Sequence, residues 1–192
     1  MAGKPRPRVE HPDNAKNLRY KFISLTQGQY ARVDADLFEK LTETSWFALW
    51  CKATQSYYAA TWRRCSKGRH TLPLHRHILE LRGVTTEQGQ TVDHKNHDTL
   101  DCTTENLRPA TRVEQSRNKR RRKHNTSGFI GVDWSDQHKR WRARAWNDGK
   151  RQHLGLFDDP FSAAWVRDEF VRREHGEFAS LNQLVDRRSK RP

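Results

Sequence analysis

The stretch Thr91–Asn118, TVDHKNHDTLDCTTENLRPATRVEQSRN, holds the residues with the clearest chemical potential. A short β-prone run ends in Asp93 and His94, so a carboxylate and an imidazole stand side by side at a strand end. A polar loop with Asn96, His97, Asp98 and Asp101 leads to Glu105-Asn106-Leu107-Arg108, and a helix is expected from about Thr111. Gln115 and Asn118 put amide oxygens on that helix. A carboxylate and an amide can hold a hard cation such as Mg²⁺ and leave positions open for water and phosphate. A neutral histidine can take a proton from the attacking water near pH 7. The metal would then offset charge building on the leaving oxygen. The spacing describes a one-metal phosphodiesterase.

The elements that must position these groups follow from local signals. Leu74-His75-Arg76-His77-Ile78-Leu79-Glu80-Leu81 predicts a helix closed by Gly83. Thr111 is a plausible N-cap, and Pro109 is expected to break the loop ahead of it. Upstream, Tyr20–Leu25 and Tyr30–Val33 predict a hairpin turning at Gly28, and Asp34 is expected to cap a helix Ala35–Leu41. Trp46–Trp50, Ser56–Trp62 and Arg69–Leu74 read as strands of a small sheet. The aromatic crowd of Trp46, Phe47, Trp50, Tyr57, Tyr58 and Trp62 is expected in the core, with base stacking as the alternative.

The string DH…NHD…ENLR-x-A-T followed by a polar helix resembles the HNH endonucleases of free-standing and intron-type phage elements. That resemblance implies a ββα-metal (His-Me finger) module over residues 18–118, with a catalytic core at 74–118. It makes His94 the general base and Asp93 a metal ligand, while Asn106 pins the loop and orients the His94 backbone. The helix supplies the remaining ligand, where the family usually has Asn or His. Gln115 is the positional match and Asn118 the chemical one, and residues three apart share a helix face. Both remain candidates. His75 matches a helix position expected to be structural. The implied cofactor is a divalent metal, Mg²⁺ first and Mn²⁺ second.

A second texture begins after the basic run Lys119-Arg120-Arg121-Arg122-Lys123, a linker over 119–124 suited to tracking phosphates. FIGVDW, KRWRARAW and KRQHLGLF are strand candidates, separated by Asp136-Gln137-His138 and Asn147-Asp148-Gly149, the latter a tight-hairpin signal. Asp158-Asp159-Pro160 starts a helix that stops at Gly176, with Ala163, Ala164, Val166, Phe170 and Val171 as its packing face. Period-2 alternation turns Trp141, Ala143 and Ala145 toward that helix. It turns Arg140, Arg142, Arg144 and Trp146 away, where Arg151 and His153 of the next strand join them as a DNA-binding face. SGFIGVDW, KRWRARA, HLGLFDDPFSAAWVRDEF and HGEFASLN resemble the Apetala/ethylene-response-factor DNA-binding domain over 125–182. The plant pattern departs at Asp133 and at Arg144-Ala145-Trp146, so its recognised sequence does not transfer.

Bulk properties agree with a polyanion partner. The 192 residues carry a formal net charge of +14, and only 33% are hydrophobic. Such a field favours nucleic acid first and an anionic membrane second, and the two resemblances imply double-stranded DNA. No apolar run is long enough to span a membrane. Three scattered cysteines, Cys51, Cys65 and Cys102, form neither a zinc knuckle nor a disulfide framework. The expectation is an intracellular α+β protein, in the cytoplasm of a bacterial host by the phage resemblance. Residues 1–17 read as a disordered basic arm and 183–192 as a loose basic tail. The expected activity is metal-dependent hydrolysis of DNA phosphodiesters by a nicking or homing-type enzyme. The competing reading is a DNA-binding regulator whose nuclease site has decayed at Gln115; an RNA-binding or structural phage protein is a third. Monomer and DNA-dependent dimer both stay open.

Overall fold

The computed structural model describes residue 13 and residues 19–66, 68–121, 124–182 and 184. The expected N-terminal arm and C-terminal tail lie almost wholly outside the described residues, as do Arg122 and Lys123. The chain is mixed α+β with small antiparallel sheets, and it divides into two compact units between Ala110 and Thr111.

The first unit opens with the hairpin of β1 (Tyr20–Ser24) and β2 (Tyr30–Asp34). Its turn uses left-handed backbone at Gln27 (φ 61°) and Gly28 (φ 65°). Alternation along β2 buries Ala31 and Val33 completely. The helix expected at Ala35–Leu41 is instead a 3-10 turn, Ala35–Leu37, followed by the short α1 (Phe38–Thr42). Asp34 makes no capping bond. Its carboxylate accepts from the Thr104 backbone at 3.0 Å and pairs with Arg82 at 3.1 Å, a long-range demand that outcompetes the local one.

Strands β3 (Phe47–Cys51), β4 (Ser56–Cys65) and β5 (Gly68–Pro73) form an antiparallel sheet in that order. Strand β4 runs past the expected Trp62 end. Trp46 sits outside the strand, buried, with its indole N–H donating to the Leu41 carbonyl at 2.7 Å. The aromatic crowd is only partly core: Tyr57 is buried, whereas Trp50 is 41% and Trp62 50% exposed. Helix α2 (Leu74–Leu81) buries Leu74, Ile78 and Leu79 against the sheet core. It closes with Gly83 at φ 72°, the Gly83 N–H reaching Glu80 O at 3.1 Å and the Val84 N–H reaching Leu79 O at 2.9 Å. These are the two bonds of a Schellman cap. Last comes the hairpin of β6 (Thr91–His94) and β7 (Leu107–Ala110). Pro109 does not break the chain there; it lies inside β7 opposite Val92. A two-stranded hairpin has only edge strands, where proline's missing N–H is tolerated.

The second unit begins with α3 (Arg112–Arg117), which carries a complete capping box. Thr111 Oγ1 accepts from the Glu114 N–H at 3.2 Å, and Glu114 Oε2 accepts from the Thr111 N–H at 2.7 Å. This helix, expected as the last element of the nuclease module, makes contacts within the second unit. Arg117 pairs with Asp148 at 3.6 Å, and Ser180 Oγ donates to the Lys119 carbonyl at 2.9 Å.

Strands β8 (Val132–Ser135), β9 (Arg140–Asn147) and β10 (Lys150–Phe157) form an antiparallel sheet backed by α4 (Pro160–His175). The first strand starts later than expected because Ile130 is held by Asn182, its N–H donating to Oδ1 at 2.6 Å. Asp148 (φ 48°) and Gly149 (φ 73°) make the predicted tight turn. Asp159 caps α4 through the Ser162 N–H at 2.8 Å, with Pro160 at the first turn. Ala143, Ala163 and Ala164 are fully buried, so sheet and helix approach closely. Val166 and Phe170 are only half-buried. Arg167 and Asp168 are buried instead, joined at 2.8 Å, with Asp168 also accepting from Asn182.

Candidate active site

Asp93 and His94 end β6, and the two-residue period of a strand sends them to opposite faces of the hairpin. Across the hairpin Asp93 faces Arg108 and His94 faces Leu107. Arg108 Nε and Nη2 both donate to Asp93 Oδ2, at 3.0 and 2.8 Å. The two side chains are 9% and 11% exposed, so this is a buried ion pair. On the other face the His94 ring meets His75 of α2 at 5.1 Å and Tyr58 of β4 at 6.1 Å, centroid to centroid. Burial disfavours the imidazolium and pushes His94 down to about 4 and His75 to about 3. Both rings are therefore neutral at pH 7. A neutral ring is the form that can accept a proton.

The loop between the strands is fixed from inside. The Asn106 amide accepts from the Asn96 N–H at 3.0 Å and donates to the Asp101 carbonyl at 2.7 Å. The Lys95 N–H donates to the Asn106 carbonyl at 2.9 Å, and the His97 N–H returns to the His94 carbonyl at 3.0 Å. Asp101, 2% exposed, is the hub. It accepts from Arg32 Nε at 3.0 Å, Asn96 Nδ2 at 2.6 Å and Thr103 Oγ1 at 2.9 Å. Arg32 thereby ties the first hairpin to the loop that follows His94.

Asp93, His94 and Asn106 thus come together on one hairpin of the first unit. Gln115 and Asn118 are carried by the second. Gln115 is helical, but α3 stops at Arg117, and Asn118 is its C-cap with ψ 71°. The Asn118 N–H still donates to the Glu114 carbonyl at 3.2 Å and its φ is −83°, so both amides stay at this end of the helix. Among the described residues no three His, Cys, Asp or Glu side chains gather as a metal cluster. The expected donor set mixes one carboxylate with amide oxygens, and such hard oxygen donors fit Mg²⁺.

On the second unit Trp146 is 59% exposed, with Arg151 over its ring at 5.3 Å and His153 opposite Arg144. Three of the expected arginines are matched by carboxylates. Asp133 pairs with both Arg142 and Arg144, at 2.6 and 2.5 Å, and Asp158 pairs with Arg140 at 2.9 Å. Arg120 and Arg121 are exposed.

Sequence reading missed Arg108, Arg32 and the hub role of Asp101. The only available signal was for Arg108, an opposite charge at the cross-strand position of Asp93.

The hairpin, its loop and the helices on either side coincide with a known unit: residues 73–117 match the HNH endonuclease family. The chain is also 33% identical over 106 residues to Protein 3.8 of Escherichia phage T7, covering 55% of this chain and 86% of that protein. On these two matches the chain belongs to the HNH endonuclease family. No solved structure matches it. Among the described residues no helix is long and apolar enough to cross a membrane.

Proposed function

We propose that this protein is a metal-dependent endonuclease that hydrolyses phosphodiesters of double-stranded DNA, with His94 as the base. The observation that carries the reading is His94 itself, neutral at pH 7, at a strand end beside Asp93 and within the matched family segment. His94 takes a proton from the attacking water. Asn106 holds the loop and the backbone that follows His94. Asp93 is the carboxylate ligand for a divalent ion, Mg²⁺ or Mn²⁺, and Gln115 or Asn118 the amide ligand. That assignment, like the ββα-metal fold of the module at 18–118, rests on the family resemblance. When bound, such an ion offsets charge on the phosphate and on the leaving oxygen.

The module at 125–182, joined by the basic linker at 119–124, supplies DNA affinity and address. Its likeness to the Apetala/ethylene-response-factor domain, its helix-backed sheet and its exposed Trp146–Arg151 pair support this role. One active site cuts one strand, so a single copy nicks, in keeping with a homing-type role for a phage-related gene. A binding-only protein is the second reading, favoured by Gln115 in the helix ligand position and by Arg108 on Asp93 Oδ2. Supercoiled plasmid separates the two. The nuclease reading expects open-circular product with Mg²⁺ or Mn²⁺ and none with EDTA. Gel shift of duplex DNA without cleavage under any metal would leave the binding-only reading.

A further inference from the structure

The sheet of the first unit extends into a two-stranded ribbon that the proposed mechanism does not use. Strand β3 pairs with β4 only as far as Phe47 opposite Ala60. Beyond that point β4 pairs with β5 alone, as far as Cys65 opposite Gly68. Residues 62–66 and 68–70 are all exposed. Isolated two-stranded ribbons are marginal in water, so an extension of this kind stands out.

Its composition is specific. The register places Arg64 directly opposite Arg69 and Trp62 opposite Thr71. Arg69 lies over the Trp62 ring at 5.0 Å, and Trp62 stacks on Phe47 at 5.6 Å. Arg32, Arg63, Arg82 and Arg108 of the same unit are each held by a carboxylate. Arg64 and Arg69 have no carboxylate partner among the described residues. Like charges directly opposite on a sheet repel, and a bound anion would remove that repulsion.

Alternation also puts Trp62 and Arg64 on the same face of β4 as Tyr58. Tyr58 is the residue whose ring meets His94. At about 3.3 Å per residue, Trp62 lies roughly 13 Å and Arg64 roughly 20 Å along the strand from Tyr58. With about 3.4 Å per nucleotide on a strand, that is some four to six nucleotides from the site.

We propose that this face of the β4–β5 ribbon is a DNA-contacting surface of the nuclease unit, with Arg64 and Arg69 on backbone phosphates and Trp62 packed beneath them. The proposal rests on DNA being the substrate, as argued above. It makes the first unit grip the duplex about half a helical turn from the cut, independently of the second unit.

The test is duplex binding by the full chain, read by fluorescence anisotropy in EDTA so that cleavage plays no part. The expected result for R64Q/R69Q is a salt slope shallower by about 1.8 and affinity weaker by roughly 10- to 60-fold at 0.1 M salt. Trp62→Ala is expected to weaken binding without changing the slope. K40Q/K52Q removes the same two charges elsewhere on this unit and should have a much smaller effect; circular dichroism checks that each variant is folded. Wild-type-like binding by R64Q/R69Q, an equal loss in K40Q/K52Q, or no duplex binding by the wild type would each overturn the proposal. In the first case the arginines would serve only to keep the ribbon edges from self-association. Failure to cleave with metal while R64Q/R69Q still loses affinity would sink the nuclease reading and leave this one standing.

Discussion

Replacing Arg108 with methionine should unfold the first unit far more readily than its one lost ion pair suggests. The pair with Asp93 is buried, at 9% and 11% exposure, and both guanidinium donors land on one carboxylate oxygen. Methionine fills similar volume but leaves the Asp93 charge without that guanidinium in a poorly solvated place. Stranding one partner of a buried pair costs about 3–5 kcal/mol. An exposed pair is worth about 0–1 kcal/mol. Arg140 with Asp158, at 43% and 88% exposure, is the internal control. For a unit of this size about 3 kcal/mol corresponds to a melting shift of roughly 12 °C or more. Calorimetry on the full chain, with each unit's transition fitted separately, would show a large shift for Arg108→Met and almost none for Arg140→Met. Adding Asp93→Leu to Arg108→Met should recover much of the loss, because no buried charge then remains. Equal, small shifts for the two single variants would mean that Asp93 is not held as described, and the site geometry would have to be redrawn.

Three further outcomes follow from the same contacts. His75 and His94 are held at about 3 and about 4, below the ordinary value of 6.5, so the unfolded chain takes up protons first as pH falls. Stability should be full above about pH 6.5 and fall toward pH 4 by on the order of 3 kcal/mol for each ring; flat urea midpoints between pH 7.5 and 4.5 would contradict this. Gly131 has φ +75°, and a Cβ there would meet the Arg144 carbonyl at 2.5 Å. Gly131→Ala should cost on the order of 2 kcal/mol or more in the second unit, and an unchanged melt would refute the close approach. Gln115→Ala should raise the Mg²⁺ needed for half-maximal nicking more than Asn118→Ala, since Gln115 lies within α3 and Asn118 only at its C-cap; the reverse order would reassign the ligand.

The parts legible in the sequence are those with local causes. The α2 cap at Gly83, the N-cap at Thr111, the Asn147-Asp148-Gly149 turn and the alternation along β9 depend on neighbours a few residues away, and each stands where its signal lies. The adjacency of Asp93 and His94 was equally plain. What escaped were partners chosen by tertiary register. Asp34 gave up its capping role to Thr104 and Arg82, and Asp101 was claimed by Arg32. Asp133 took both Arg142 and Arg144, which leaves the outward face of that sheet less positive than its arginines imply. Trp62 looked like core because it is large and apolar, yet β4 outruns β3 and leaves it in solvent. Pro109 signalled a break, and a hairpin without a third strand absorbed it.

The central claim is that His94 activates water in a metal-dependent cut of duplex DNA. Its most direct test is single-turnover nicking of plasmid DNA with Mg²⁺, wild type beside His94→Ala, with DNA affinity measured separately in EDTA. Loss of a positioned general base should slow cleavage by about 10²- to 10⁴-fold while affinity stays near wild type. Cleavage by His94→Ala at the wild-type rate would contradict the account and move the active site elsewhere.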